Sequence, residues 1–198
     1  MIDRRTFLAS STALGLLGFA GLAPAFGQSA APSRDAALDA MLQSWFDEDL
    51  RENPAFATSL GVDTGELAHL RGKLGESSLA EVNRDKAKAV ARHHALESFQ
   101  SDGLTDAGML NYDIARFRAS VQMMGVPFDF GNFGGRPAPY VVSQLGGSYY
   151  GVPDFLDTQH PIRDAADVDH YLSRLEDFAR NLDQDTERVR HDAARGVV

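Results

Sequence analysis

The chain has 198 residues, a formal net charge of −9 and no cysteine. Acidic charge disfavours nucleic acid, because binding to the phosphate backbone depends on basic side chains, so we expect no nucleic-acid partner. Without cysteine the chain can form neither a disulfide, nor a cysteine-based zinc site, nor a lipid-anchored cysteine.

The first element that the sequence predicts is a twin-arginine export signal. Arg4 and Arg5 are adjacent, and Phe7 and Leu8 follow at the spacing that is typical of such signals. The apolar stretch from Phe7 to Leu22 carries no charge. It is shorter than the roughly 20 residues that span a bilayer. We therefore expect recognition by the twin-arginine translocase and export, and no anchoring in the membrane.

Small residues after this stretch indicate where the signal is cleaved. They include Ala23, Ala25 and Gly27. Cleavage after Ala25 and cleavage after Gly27 both fit the small-residue pattern of such sites. The sequence thus predicts a signal peptide over residues 1–27, a spacer over 28–34 and a helical domain over 35–198. We expect the mature protein to be periplasmic or secreted, with no stable membrane anchor after cleavage.

Five segments after the spacer carry apolar residues at helical spacing, between capping residues and glycine stops. They run from about Asp35 to Glu52, from Pro54 to Gly61, from Leu79 to about Gln100, from Thr105 or Asp106 to Gly125, and from about Asp164 to Arg195. The last segment keeps a seven-residue apolar rhythm, which fits one long helix or two nearly collinear helices. We predict an all-α fold in which amphipathic helices pack as part of a larger helical body.

Acidic residues are spread along this last segment. They are Asp164, Asp167, Asp169, Glu176, Asp177, Asp183, Asp185 and Glu187. We interpret them as a solvated helix surface, with i,i+4 support such as that between Glu176 and Arg180. We interpret Arg174 as a structural residue, because an arginine under a core helix often clamps a carboxylate elsewhere in the fold.

The stretch between Gly125 and Pro161 is rich in glycine and aromatic residues and shows no helical pattern. A long irregular segment inside a compact body is usually functional or disordered, and the aromatic content argues against disorder. The candidate cleft-lining residues in this segment are Phe130, Phe133, Tyr140, Tyr149, Tyr150 and His160.

No short motif in the chain specifies a reaction. None of the six histidines belongs to an H-E-x-x-H pair, in which two histidines one helical turn apart hold zinc. His93 and His94 are neighbours on a predicted helix, so their side chains diverge by about 100°. Ser143 does not lie in a G-x-S-x-G elbow. We therefore predict no catalytic and no metal-binding residue in this chain.

Three segments together carry a resemblance to a known family. The first is ENPAFATSLGVD from Glu52 to Asp63, and the second is LNYDIARF from Leu110 to Phe117. The third and most specific is QHPIRDAADVDHYLSRLEDFARNLDQDTERVRHDAARGV from Gln159 to Val197. These segments resemble the N-terminal part of the bacterial family called domain of unknown function 885, or DUF885. The resemblance covers almost everything after the signal.

The resemblance implies a large, nearly all-helical protein related to zinc-dependent peptidases. The zinc-binding H-E-x-x-H of that group lies much further toward the C-terminus, and its members continue beyond the positions of Gly196 to Val198 here. We therefore expect an N-terminal fragment or a truncated reading frame. We expect no cofactor in this chain, whereas a full-length relative could hold zinc.

Two functions are open at this point. The first is the non-catalytic N-terminal part of an exported hydrolase that resembles zinc peptidases, acts on an unknown substrate and is inactive without the rest of the enzyme. The second is a periplasmic helical binding or interaction module without enzymatic activity, with the aromatic segment as its binding surface.

Export should depend on Arg4 and Arg5, because the translocase reads the arginine pair as an address. The double substitution Arg4→Lys and Arg5→Lys keeps the positive charge, so it tests the pair itself. We expect this variant to stay in the cytoplasm, as measured by cell fractionation beside the unchanged chain. Normal periplasmic accumulation of the variant would contradict the predicted route.

Overall fold

The computed structural model describes residues 33–134 and 137–197, so the export signal and its cleavage region lie outside the described residues. The described part contains six α-helices and one 3-10 helix. They are α1 (Arg34–Glu52), α2 (Pro54–Ser59), the 3-10 helix (Gly65–Leu70), α3 (Leu79–Ser98), α4 (Asp106–Gly125), α5 (Ser148–Thr158) and α6 (Ala165–Ala193). The predicted all-α fold is confirmed. Among the described residues, no helix is both long and apolar enough to cross a membrane.

Local capping fixes where the predicted helices begin. Five side-chain oxygens accept a hydrogen bond from a backbone N–H in the first turn of the helix that follows. They belong to Ser33, Asn53, Ser78, Thr105 and Asp164, the N-caps of α1, α2, α3, α4 and α6. The observed boundaries lie close to the predicted ones, and the last segment forms one continuous helix of 29 residues.

Helix α5 lies inside the segment that the sequence indicated as irregular, so that interpretation was wrong for residues 148–158. Gly151 and Pro153 weaken the local helical signal. Gly147 precedes the helix with a φ of +103°, a conformation that favours glycine. The first N–H of the helix, that of Ser148, donates to Asp185 of α6 at 2.6 Å. Because this cap comes from a residue of a distant helix, no local sequence pattern predicts α5.

Apolar packing in the described residues forms three clusters, each where several elements meet. The first joins α1, α3 and α4, the second joins α1, α2 and the 3-10 helix, and the third joins α5 to the loop before α3. Their buried members are, in turn, Leu38, Leu96, Tyr112 and Ala119; Leu50, Ala57 and Leu70; and Leu74, Phe155 and Leu156. Tyr171 and Phe178 of α6 are partly buried and pack against the third cluster, whereas every buried side chain of α6 is polar. Polar contacts therefore hold α6 in place together with this partial apolar packing.

Helix α6 turns a polar face toward the rest of the fold. Its buried residues are Asp167, Arg174, Asn181, Asp185, Arg188 and Asp192. The interpretation of the acidic residues as solvated surface was therefore wrong for Asp167 and Asp185. Arg180 pairs with Asp177, at 2.6 Å, instead of with Glu176. Helical periodicity separates two faces of a helix, but it does not say which of them is inside.

The inward side chains of α6 bind the backbone of the surrounding loops. Asp177 accepts a hydrogen bond from the N–H of Leu74 at 2.8 Å, and Asp192 accepts one from the N–H of Gly131 at 2.8 Å. Arg188 donates to the carbonyl of Gly131 at 2.9 Å. We call these residues the polar face of α6: Arg174, Asp177, Asn181, Gln184, Asp185, Arg188 and Asp192.

Large apolar side chains are exposed on two helices. They are Leu110, Ile114, Phe117, Val121 and Met124, which we call the α4 stripe, and Val168, Leu172, Leu175 and Val189, which we call the α6 stripe. The exposed fraction reaches 69% for Phe117 and 72% for Met124. A surface helix of a soluble monomer normally turns such residues toward the core.

Arg174 is fully buried, with 0% of its side chain exposed. Its guanidinium donates to Lys73 O at 3.0 Å, to Thr58 Oγ1 at 2.5 Å and to His160 Nδ1 at 2.5 Å. The sequence led us to expect a carboxylate beside Arg174. The structure places Thr58 between them, because Thr58 accepts from Arg174 and donates to Asp63 at 2.9 Å. Burial lowers the pKa of Arg174 to about 10, so the side chain stays charged at neutral pH.

His160 is buried beside Arg174 in one defined tautomer. Its Nε2 lies 2.9 Å from the carbonyl oxygen of Asp167, which can only accept, so Nε2 carries the proton. Its Nδ1 then accepts from Arg174, which can only donate. Burial lowers the pKa of His160, and the positive charge of Arg174 acts in the same direction. The folded protein therefore holds a neutral imidazole at this position.

The free energy of unfolding should fall as the pH drops below about 6.5, the ordinary pKa of histidine. Above that pH His160 is neutral in both states. Below it the unfolded chain takes up a proton that the folded chain resists, so the stabilisation is lost as the pH falls. The slope that one such group adds is at most about 1.4 kcal/mol per pH unit.

The variant His160→Gln should flatten this slope, because a glutamine amide can both donate to Asp167 O and accept from Arg174. Urea unfolding at a series of pH values between neutral and mildly acidic measures the slope. His94→Gln, at an exposed position of α3, is the matched control and should keep the original slope. An unchanged slope in His160→Gln would show that another group causes the acid sensitivity.

Candidate binding cleft

A cleft of about 720 Å³ opens between two groups of helices. Helices α1, α2 and α3 supply one wall, and α5 and α6 supply the other. Residues 74–77 and 132–134 also line it. A volume of this size lies within the range of about 300–1,000 Å³ that small-molecule sites occupy.

Negative charge dominates the cleft, where six carboxylates stand against three cations. The carboxylates are Asp49, Glu52, Glu76, Glu81, Asp85 and Asp185, and the cations are Lys88, Arg92 and Arg188. Arg84 and Arg180, which lie outside the lining, pair with Glu81 and Glu76, so each of the six carboxylates has a cationic partner. These ion pairs largely neutralise the negative charge of the lining.

Three of these carboxylates form a group on the wall of α1 and α3. Glu52, Glu81 and Asp85 each bring one oxygen within 4.8 Å of the other two. Lys88 pairs with Glu52 and, at 2.9 Å, with Asp85. Burial acts to lower the pKa of Lys88, but its hydrogen bonds with Glu52 and Asp85 outweigh burial and raise that pKa.

The carboxylate group does not fit zinc. Zinc sites in proteins are built mainly from histidine nitrogens and cysteine sulfurs, whereas this group offers oxygen ligands alone. Two cations already occupy these oxygens, since Lys88 pairs with Glu52 and Arg84 pairs with Glu81. We assign no metal to the group.

Two buried polar atoms of cleft-lining residues lack a partner among the described residues. They are Arg92 Nε and Asn181 Oδ1. Arg92 pairs through its other nitrogens with Glu48 at 2.5 Å and Asp49 at 2.7 Å. Asn181 is 6% exposed, and its amide nitrogen donates to Gly75 O at 3.1 Å, which identifies Oδ1 as the unused acceptor. An unpaired buried acceptor costs about 1–3 kcal/mol.

Asp185 and Arg188 form the α6 side of the cleft and are occupied by the fold. Asp185 accepts from Ser148 N at 2.6 Å and from Ser77 Oγ at 2.5 Å. Arg188 donates to Gly131 O and Asn132 Oδ1. Burial lowers the pKa of Arg188, although Asp185 and a neighbouring carboxylate oppose this effect. These two residues shape the cleft, and their hydrogen-bonding groups are not available to a ligand.

The structure separates the residues that the sequence proposed as cleft lining. Phe133 lines the cleft. Four of the others lie on the exposed surface within the described part of the chain, outside this lining: Phe130, Tyr140, Tyr149 and Tyr150. His160 is also outside the lining, because it is buried between Asp167 and Arg174.

Sequence reasoning missed the carboxylate group and Asn181. Glu52 ends α1, whereas Glu81 and Asp85 lie on α3, so only the fold brings the three together. The spacing of Glu81 and Asp85, four residues apart on a helix, places both on one face and was the one available signal. Nothing in the sequence indicates that the Asn181 oxygen would be buried without a donor.

A protein-family model described as "Bacterial protein of unknown function (DUF885)" matches residues 54–198. No curated protein and no solved structure matches the chain. The matched residues include α2 to α6, both apolar stripes and most of the cleft lining. The match covers more than half of the chain and agrees with the resemblance that the sequence carries. The chain belongs to the DUF885 family of bacterial proteins.

Proposed function

We propose that this chain is a non-catalytic helical part of an exported, metallopeptidase-like hydrolase. In this proposal a catalytic helical part, which carries the zinc-binding motif, packs against the α4 stripe and the α6 stripe. The observation that carries the proposal is the exposure of both stripes, while every buried side chain of α6 is polar. Export rests on Arg4 and Arg5, which lie outside the described residues.

The α4 stripe has the spacing of a helix–helix seam. Its members alternate at steps of four and three residues, as the core positions of packed helices do. All of them are at least 44% exposed. Moving one such side chain from water into full burial gains about 1.5–3 kcal/mol. A helix of the catalytic part that packed along α4 would supply this burial.

Helix α6 has the character of a helix inside a larger body. Its polar face is satisfied by loop backbone on one side, and its apolar stripe faces outward on the other. A surface helix of a self-contained domain would instead turn its apolar side chains inward and its polar side chains toward solvent. If a further helix packed on the α6 stripe, the stripe would contact apolar side chains, while the polar face would keep its hydrogen bonds to the loops.

The cleft has a defined place in this proposal. It would form one wall of the path that a substrate takes toward the catalytic part. Because the carboxylate group of the cleft does not fit zinc, we assign no step of the reaction to residues of this chain. The chain would act by shaping the path and by supporting the catalytic part.

A helical binding module is the second candidate, and the cleft favours it. Its volume of about 720 Å³ lies within the range of about 300–1,000 Å³ that small-molecule sites occupy. The two candidates differ in how the stripes behave. A self-contained module should be a monodisperse monomer with a cooperative thermal transition, whereas a part of a larger body should expose dye-binding apolar surface.

The isolated chain should bind an apolar dye through the stripes. Phe117→Gln and Leu172→Gln should lower dye fluorescence, yet change the free energy of unfolding by less than about 0.5 kcal/mol, because both side chains are already largely in water. Leu38→Gln is the matched control at a position with 0% exposure. It should lower the free energy of unfolding by more than about 3 kcal/mol. Dye titration and urea unfolding measure the two effects.

Two results would count against the proposal. A monodisperse chain that binds no dye would favour the binding module. The stripes would then be stable in water without a further helical part packed against them. Purified chain with about one bound zinc, lost together with amide hydrolysis on chelation, would contradict the non-catalytic role.

A further inference from the structure

We propose that the α4 stripe pairs with the α4 stripe of a second copy of this chain, so that the two α4 helices lie side by side and parallel. The pair would be a short two-stranded coiled coil whose twofold axis runs along the helices. This inference goes beyond the proposed function and does not rest on it. It concerns chains whose α4 stripe is not covered by a catalytic part, because both partners would use the same surface.

The α4 stripe points away from the cluster that anchors its helix. In the heptad notation of coiled coils, a and d are the seam positions, and f lies opposite them. The residues at a and then at d are Ile114 and Val121, and Leu110, Phe117 and Met124. The f positions fall to Tyr112 and Ala119, which are buried in the first apolar cluster. The core therefore holds α4 by the face opposite the stripe.

The residue types along the seam favour a parallel pair. Ile114 and Val121 are branched at Cβ, and β-branched residues at a with leucine at d favour two parallel strands. Leu110 is the leucine at the first d position. In a parallel pair each seam residue meets its own counterpart, so the two copies of Phe117 would pack on each other. Such aromatic pairs are favourable beyond the area that they bury.

Two charged residues beside the seam set the direction of the pair. Asp113 takes the g position, Arg118 takes the e position of the next heptad, and both are exposed. In a parallel pair, g of one helix lies beside this e of the other. Asp113 would thus pair with Arg118 of the second copy, and the twofold axis would repeat that ion pair. In an antiparallel pair g faces g and e faces e, so these opposite charges would not meet.

The charges of Asp113 and Arg118 are not used inside the fold. Neither has an ion-pair partner among the residues that the structure describes. Five residues apart on one helix, they lie on opposite flanks of the seam and point away from each other. By contrast, Arg116 on the same helix pairs with Glu97 of α3 at 2.8 Å. The two unused charges are thus complementary only across a parallel pair.

The pair should be weak and should depend on concentration. Helix α4 has 20 residues, and its seam covers only about two heptads, so the interface lies at the low end of interface sizes. We expect a dissociation constant of about 10–100 μM. At about 1 μM the chain would be a monomer with an uncovered stripe, so the dye titration at that concentration reports on the stripe itself.

Sedimentation equilibrium of the full chain between about 1 and about 500 μM tests the inference. The unchanged chain should pass from monomer to dimer over this range. Asp113→Arg and Arg118→Asp should each weaken pairing by about fivefold or more, because like charges then face each other across the seam. An equimolar mixture of the two variants should regain the pairing, since opposite charges meet again. Asp183→Arg, which makes the same charge change at an exposed position of α6, is the matched control.

Single-cysteine variants report the direction of the pair, because the native chain has no cysteine. In a parallel pair, Leu110→Cys places its two thiols in one layer, and oxidation should join the chains through a disulfide. Met124→Cys, at the other end of the stripe, should do the same. In an antiparallel pair the thiols of either variant would lie more than about 15 Å apart, which is too far for a disulfide.

Three results would overturn the inference. The first is a chain that stays monomeric up to about 500 μM. The second is association that the charge variants leave unchanged, which would place the contact elsewhere, as on the apolar stretch from Phe7 to Leu22. The third is a disulfide that forms in a mixture of Leu110→Cys with Met124→Cys but in neither variant alone, which would indicate an antiparallel pair.

The dye titration separates this inference from the proposed function. A chain that binds dye at about 1 μM, yet stays monomeric at about 500 μM, would contradict the pairing and leave the proposed function standing. A chain that pairs through α4 but binds no dye when monomeric would support the pairing and contradict the proposed function.

Discussion

The polar face of α6 is the constraint on which the rest of this structure depends. Buried backbone N–H and C=O groups must be paired, and the loops around α6 form no sheet within the described residues. Side chains of α6 supply the partners in succession, from Arg174, which donates to Lys73 O, to Asp192, which accepts from Gly131 N. Every buried side chain of α6 is polar, so these hydrogen bonds hold the helix in place, together with the partly buried Tyr171 and Phe178.

This arrangement decides both which side chains of α6 are exposed and where the cleft lies. With the polar face inside, Val168, Leu172 and the rest of the α6 stripe must point outward. On the inner side, Asp185 holds the start of α5 and Arg188 holds the loop at Gly131, and both line the cleft. One helix thus produces an exposed apolar stripe and one wall of the cleft.

The sequence predicted the features that depend on neighbouring residues. It did not predict the features that depend on contacts between residues far apart in the chain. Ser78 and Thr105 cap their own helices, so α3 and α4 could be placed closely from the sequence. Helix α5 could not be predicted, because Asp185 of another helix pairs with its first N–H. The apolar rhythm of α6 was correctly read as a helix, but periodicity does not tell inside from outside. His160 looked like a cleft residue and is instead a buried partner of Arg174.

Hydrogen exchange of four backbone amides tests the central claim most directly. The N–H groups of Leu74, Ser77, Gly131 and Ser148 each donate to a side chain of α6, although they lie in loops or at the start of a helix. If the polar face of α6 holds the fold, these amides should exchange as slowly as the core helix amides, with a free energy of opening close to that of global unfolding. Rapid exchange at these four positions, while the helices stay protected, would contradict the account.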